Sequence, residues 1–107
     1  MKRIKKFRIP LDTTSILDVK IEVEGSEIKN FSLNVRCRID HKWYEIYRVD
    51  TAHGYLHEQR YWISEKPIVI KRNDTLQNTF EHYMKQIKNH FERYKSYYLE
   101  SIGFSYD

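Results

Sequence analysis

Between Leu17 and Glu24 apolar and charged residues alternate without a fault: Leu17, Val19, Ile21 and Val23 against Asp18, Lys20, Glu22 and Glu24. A period of two with one apolar face is the signature of a half-buried strand. Gly25-Ser26-Glu27 interrupts it. The alternation resumes over 31–40, with Phe31, Leu33, Val35, Cys37 and Ile39 against Ser32, Asn34, Arg36, Arg38 and Asp40. Asp40-His41-Lys42 is polar and turn-like. A third run, Trp43 to Asp50, is aromatic and β-branched but less regular, with Tyr44 and Ile46 on one face and Trp43, Tyr47 and Val49 on the other. Apolar residues on both faces suit a central strand. Thr51 to Gly54 turns the chain, and Leu56 to Ile63 returns as a fourth strand. After the break at Ser64 to Pro67, Ile68 to Ile70 forms a short fifth, and Lys5 to Pro10 adds an edge strand.

The period then changes. Leu76, Phe80, Tyr83, Met84, Ile87, Phe91, Tyr94, Tyr98 and Ile102 recur at spacings of three and four, which lines them along one stripe of a helix. Asp74 is placed to cap it, with Gln77 completing a capping-box pattern, and Gly103 stops it. The opposite side mixes Glu81, Lys85, Lys88, Glu92, Arg93 and Lys95, a solvated face. Strands first and one helix last predict an α+β fold. It is an antiparallel meander of about four to six strands over 1–71, followed by one long C-terminal helix over 74–103 packed on one face. The 107 residues make a single domain.

Composition adds limits. Nine tyrosines and five phenylalanines share the core with aliphatic residues, and tyrosine hydroxyls need water or a partner, so many should sit at the core rim. The single cysteine, Cys37, excludes an internal disulfide and suits a reducing cytoplasm. The basic start MKRIKKFRIP has no apolar stretch behind it, so no secretory signal is expected. No run approaches the roughly 18 apolar residues of a membrane span, so no membrane association is expected. The net charge of +4 is concentrated in Lys2, Arg3, Lys5, Lys6 and Arg8. These are either a solvated edge strand or contacts for phosphates.

The candidate chemistry lies in RVDTAHGYLHEQR, residues 48–60. If the hairpin closes around Thr51 to Gly54, Asp50 lies near Tyr55 or Leu56, and His53 and His57 can converge on it. A carboxylate that fixes one imidazole nitrogen leaves the other for general acid–base work. Two imidazoles and a carboxylate also suit a divalent metal such as zinc, although a fourth ligand would have to come from elsewhere. Arg48 and Arg60 can hold a phosphate while a histidine moves protons, an arrangement for metal-independent RNA cleavage. Against all three stands a plain polar turn, because Asp-Thr is ordinary at a strand end and Gly54 supplies a positive φ.

Arg48-Val49-Asp50-Thr51-Ala52-His53, with His57 beyond it, resembles the R-Y-D-N-A-x-H core of small prokaryotic proteins of the TumE type, the toxin components of toxin–antitoxin pairs. It is also similar to small uncharacterised prokaryotic domains with a D-x-A-H-G turn. Val49 stands where the toxins have tyrosine and Thr51 where they have asparagine. The resemblance implies a few antiparallel strands, a C-terminal helix and a cytoplasmic partner of antitoxin type. Together these readings give Asp50, His53, His57 and Arg48 catalytic roles, with Arg60, Tyr47, Tyr61, Lys5 and Lys6 contacting RNA, and no cofactor or metal. The alternative is a non-enzymatic binding or assembly module with a structural hairpin. Finally, the helix outruns strands of ordinary length, so Phe91 to Tyr106 is expected to bury its rings against a second copy in a homodimer.

Overall fold

The structure, a computed structural model, describes residues 1–103. Six strands form one antiparallel meander in chain order, each pairing only with its sequence neighbours: β1 (Lys2–Asp12), β2 (Ser15–Glu24), β3 (Glu27–Ile39), β4 (Lys42–Asp50), β5 (Leu56–Arg60) and β6 (Ile68–Ile70). One helix, α1 (Leu76–Ser101), follows and packs on β3 and β4. The β3–β4 hairpin turns through Asp40 and His41, both with positive φ (50° and 69°). A two-residue loop of that hand matches the twist of the flanking strands, and aspartate and histidine tolerate it better than most residues. At the β2–β3 turn the positive φ falls on Gly25.

Two bulges explain where the alternation falters. In the β3–β4 ladder Val35 faces Tyr47 and Arg36 faces Glu45, so Ile46 is an extra residue. An added residue in a period-two chain flips everything beyond it. Tyr44, Tyr47 and Val49 therefore share the helix-facing side, and the expected division of Tyr44 from Tyr47 is corrected. In the β2–β3 ladder the register shifts between Glu22 and Val23, and β3 begins at Glu27 rather than Phe31. The fourth expected strand is shorter than its pattern: β5 stops at Arg60, and the N–H groups of Ile63 and Ser64 both bond the Arg60 carbonyl in a turn. That turn frees Trp62 to stack near Tyr47 and Tyr94 (ring centroids 6.3 and 5.4 Å).

The helix starts one residue later than its cap pattern suggested. Thr75 is the N-cap, its Oγ1 accepting from the Asn78 N–H (3.1 Å), while Asp74 accepts from the Thr75 N–H and the Asn78 side chain. Both bonds fall on Oδ1, and they, the Asn78 bond first, hold the Asp74 carboxyl below the ordinary carboxylate range. Along the stripe Phe80, Tyr83, Ile87, Phe91 and Tyr94 are buried. Phe80 meets Phe31 edge-on and Tyr94 stacks on Tyr47 at 4.7 Å. At the last turn Leu99 takes the buried place expected for Ile102, which is 48 % exposed.

The length mismatch behind the homodimer expectation disappears with β3. Its 13 residues span about 43 Å at roughly 3.3 Å each, enough to underlie a helix of 26 residues, about 39 Å long. Phe91 and Tyr94 pack within their own chain. Phe104 and Tyr106 lie outside the described residues. No helix among the described residues is long and apolar enough to cross a membrane.

Candidate functional site on the open face of the sheet

The helix covers one side of the sheet, and the cross-strand register writes out the other. Lys6, Lys20, Ser32, Asp50 and His57 stand in one row from β1 to β5, and Arg8, Asp18, Asn34, Arg48 and Gln59 in the next. Two adjoining hollows of about 370 and 260 Å³ run along these rows and share Lys20, Ser32 and Arg48. They form one trough across β1 to β4, ending at Ala52 and His53.

Its charges are unevenly matched. Asp18 is shared by Arg8 (3.3 Å) and Arg36 (2.5 Å). Arg48 Nε lies 2.7 Å from Asp50. Lys6 and Lys20 have no ion-pair partner within 4 Å among the described residues. Asn34 is buried, its amide donating to Glu45 (3.0 Å) while its Oδ1 has no hydrogen-bond partner.

Asp50 anchors the far end. Its side chain is only 4 % exposed, and His57 Nε2 is 2.8 Å from Oδ1. The Ala52 N–H also donates to Oδ1 (3.0 Å). His57 sits directly across the ladder from Asp50, so the strands close one pair beyond the residues the turn suggested. The loop is fixed from beneath: the Thr51 N–H donates to the Phe31 carbonyl (3.0 Å) and the Phe31 N–H to Thr51 Oγ1 (2.9 Å). A single 3₁₀ turn over Ala52–Gly54 follows, in which His53 takes a left-handed conformation with φ 66°. Such a φ costs energy in a residue with a Cβ, and it leaves the His53 ring exposed, 6.5 Å from Tyr55.

The structure therefore gathers Arg48, Asp50, His57 and Lys6 on one face, with His53 at the rim. His53 does not converge on Asp50. His57 does, through Nε2, while its Nδ1 lies 3.4 Å from the Tyr55 carbonyl. Among the described residues no group of three or more His, Cys, Asp or Glu side chains forms a metal-sized cluster. Tyr61 stands beside the site and donates to Gln59 (3.1 Å). Burial first, and then the nearby Glu45, pushes its hydroxyl pKa up to about 12.

Three other expected contacts face the helix side. Tyr47 is fully buried and donates its hydroxyl to Glu58. Arg60 binds the same carboxylate, Nε to Oε1 at 2.8 Å. Lys5 pairs with Ile21 and points with it, away from Lys6. Sequence reasoning missed Lys20, Ser32 and Asn34, which only the register brings beside Arg48. It also missed Glu58, although a signal existed: Glu58 falls on the apolar phase of β5 with Leu56, where an unpaired carboxylate cannot stay.

Set against known proteins, residues 1–103 match the family described as "Domain of unknown function (DUF7718)". No curated protein and no solved structure matches.

Proposed function

The chain belongs to the DUF7718 family, a description that assigns no activity, and from the site itself we propose that the open face of the sheet binds single-stranded RNA. One observation carries this reading: the trough is lined by Lys6, Arg8, Lys20 and Arg48 against Asp18, Glu22 and Asp50, and among the described residues the two lysines form no ion pair within 4 Å, whereas Asp18 and Asp50 are taken up by arginines and Glu22 by Lys2. Phosphates spaced along a strand suit a row of cations across successive β-strands, and Ser32 adds a neutral hydrogen-bonding group between them. Tyr55, 48 % exposed beside His53, supplies a ring on which a base can stack.

RNA cleavage of toxin type is a second reading, favoured by one feature. His53 is a solvent-facing imidazole on the same trough as Arg48 and Asp50, so it is the available proton carrier, with Arg48 beside a phosphate. Asp50 and His57 then position the hairpin rather than act on substrate. An antitoxin partner belongs to this reading alone.

Binding of a labelled single-stranded RNA, titrated with salt, tests the first reading. Each phosphate neutralised contributes a slope of about −0.7 in log affinity against log salt, so several contacts give a steep line. A Lys6→Glu, Lys20→Glu variant should lose most of it. A flat salt response, or unchanged binding in that variant, overturns the proposal. Cleavage is read separately: loss of RNA cleavage and of growth arrest in His53→Ala, with binding intact, supports the second reading, and retention of both dismisses it.

A further inference from the structure

The outer edge of β1 is an unpaired strand edge among the described residues, and it borders the trough at Lys6 and Arg8. β1 has 11 residues, nine of them exposed, and nothing among the described residues pairs with its outer side. Which backbone groups are free follows from two facts. The Arg38 N–H donates to the Thr14 carbonyl (2.8 Å), so Thr14 faces β3, and by alternation Ile16, Asp18, Lys20 and Glu22 do too. Leu17, Val19, Ile21 and Val23 then face β1, where Ile9, Phe7, Lys5 and Arg3 hold the ladder. Pro10, which has no N–H, pairs with Ile16 where none is needed. Lys2, Ile4, Lys6 and Arg8 are left with their N–H and C=O groups directed outward, in a run whose register is unbroken from Lys2 to Pro10.

Side chains restrict what can join that edge. Lys2, Arg3, Lys5, Lys6 and Arg8 make it strongly cationic, yet Ile4 is 59 % and Phe7 43 % exposed among them. Lysines alone blunt an edge against any strand; lysines interleaved with exposed apolar residues repel one kind of strand and hold another. A second copy added here would set cations opposite cations, which destabilises a ladder. We propose that β1 accepts, as an added strand, an extended acidic segment of a partner protein. Its carboxylates would face Lys6 and Arg8, and its apolar side chains would cover Phe7. The main-chain bonds supply affinity and the charges supply selection.

The probe is a blocked, fluorescent peptide of alternating glutamate and valine, matched in length to residues 2–9. Its binding is followed by anisotropy, and backbone amide exchange is followed by nuclear magnetic resonance. On binding, the amides of Ile4, Lys6 and Arg8 should gain protection, whereas those of Arg3, Lys5 and Phe7 are protected beforehand. Ile4→Pro removes one outward N–H without touching the β1–β2 ladder and should weaken binding about tenfold, while Ile4→Thr keeps the N–H and binds near wild type. The idea falls if the even-numbered amides stay unprotected, or if Ile4→Pro binds unchanged. It falls equally if a lysine–valine peptide binds as well, if single-stranded RNA produces the same protection, or if the protein alone forms a dimer that Ile4→Pro breaks.

Discussion

Asp50 and Glu58 sit one ladder step apart, on opposite faces of the β4–β5 hairpin, and are built alike. Each is buried, and each meets the Nε of an arginine two residues away, Arg48 at 2.7 Å and Arg60 at 2.8 Å. Two residues along a strand is the spacing that keeps side chains on one face, so both pairs are made by the strand itself. Their third partners separate them. Asp50 takes an imidazole and a loop N–H at the end of an open trough. Glu58 takes the Tyr47 hydroxyl under a stack of Tyr47, Trp62 and Tyr94. A buried carboxylate with an arginine is thus no mark of a site; the side of the sheet on which it opens decides what it can do.

The largest effect should come from the closed side. Glu58→Ala strands the Tyr47 hydroxyl beneath the helix and deprives Arg60, and should cost about 3 kcal/mol by urea denaturation. A loss below about 1 kcal/mol would mean that water enters beside Tyr47. Asp50→Ala should cost less, about 2 kcal/mol, because the trough lets water replace the missing carboxylate. In the same variant the Ala52 amide should exchange faster. Equal losses in the two variants would erase the distinction between the faces.

The closed side also predicts an alkaline limit. Burial, and then Glu58, pushes the Tyr47 hydroxyl far above the ordinary tyrosine value. Its folded-state pKa is raised, so its contribution is complete below about pH 10 and is lost as pH climbs beyond that value, where only the unfolded chain gives up the proton. Stability should fall by up to about 1.4 kcal/mol per pH unit from this residue, and Tyr47→Phe should flatten the decline. The smallest effect separates adjacent residues. Lys6→Ala should weaken RNA binding about threefold, as one phosphate contact is lost, whereas Lys5→Ala, on the helix side, should leave it nearly unchanged.

The strands were legible wherever alternation ran unbroken, as in β2 and most of β3, because period two depends on nothing but the buried face. β4 was not, since the extra residue at Ile46 resets the phase and only pairing reveals it. The helix was legible from its stripe, but not its fit, because β3's true length hid behind Lys29 and Asn30. Within the site, Arg48 and Asp50 could be joined by spacing alone. The pairing of Asp50 with His57 needed the loop's closing step, and the division of Lys5 from Lys6 needed the strand's orientation.

The strict chain order of the meander has a consequence in time. Every strand can pair as soon as its predecessor exists, so the sheet needs no distant segment and forms through local contacts of the kind that assemble fast. The helix that covers Leu33, Val35 and Tyr47 comes last. At synthesis rates of about 5–20 residues per second, its 26 residues take roughly one to five seconds to appear. Until those residues exist, the apolar face that α1 covers on β3 and β4 has no other helix in the chain to pack on it among the described residues.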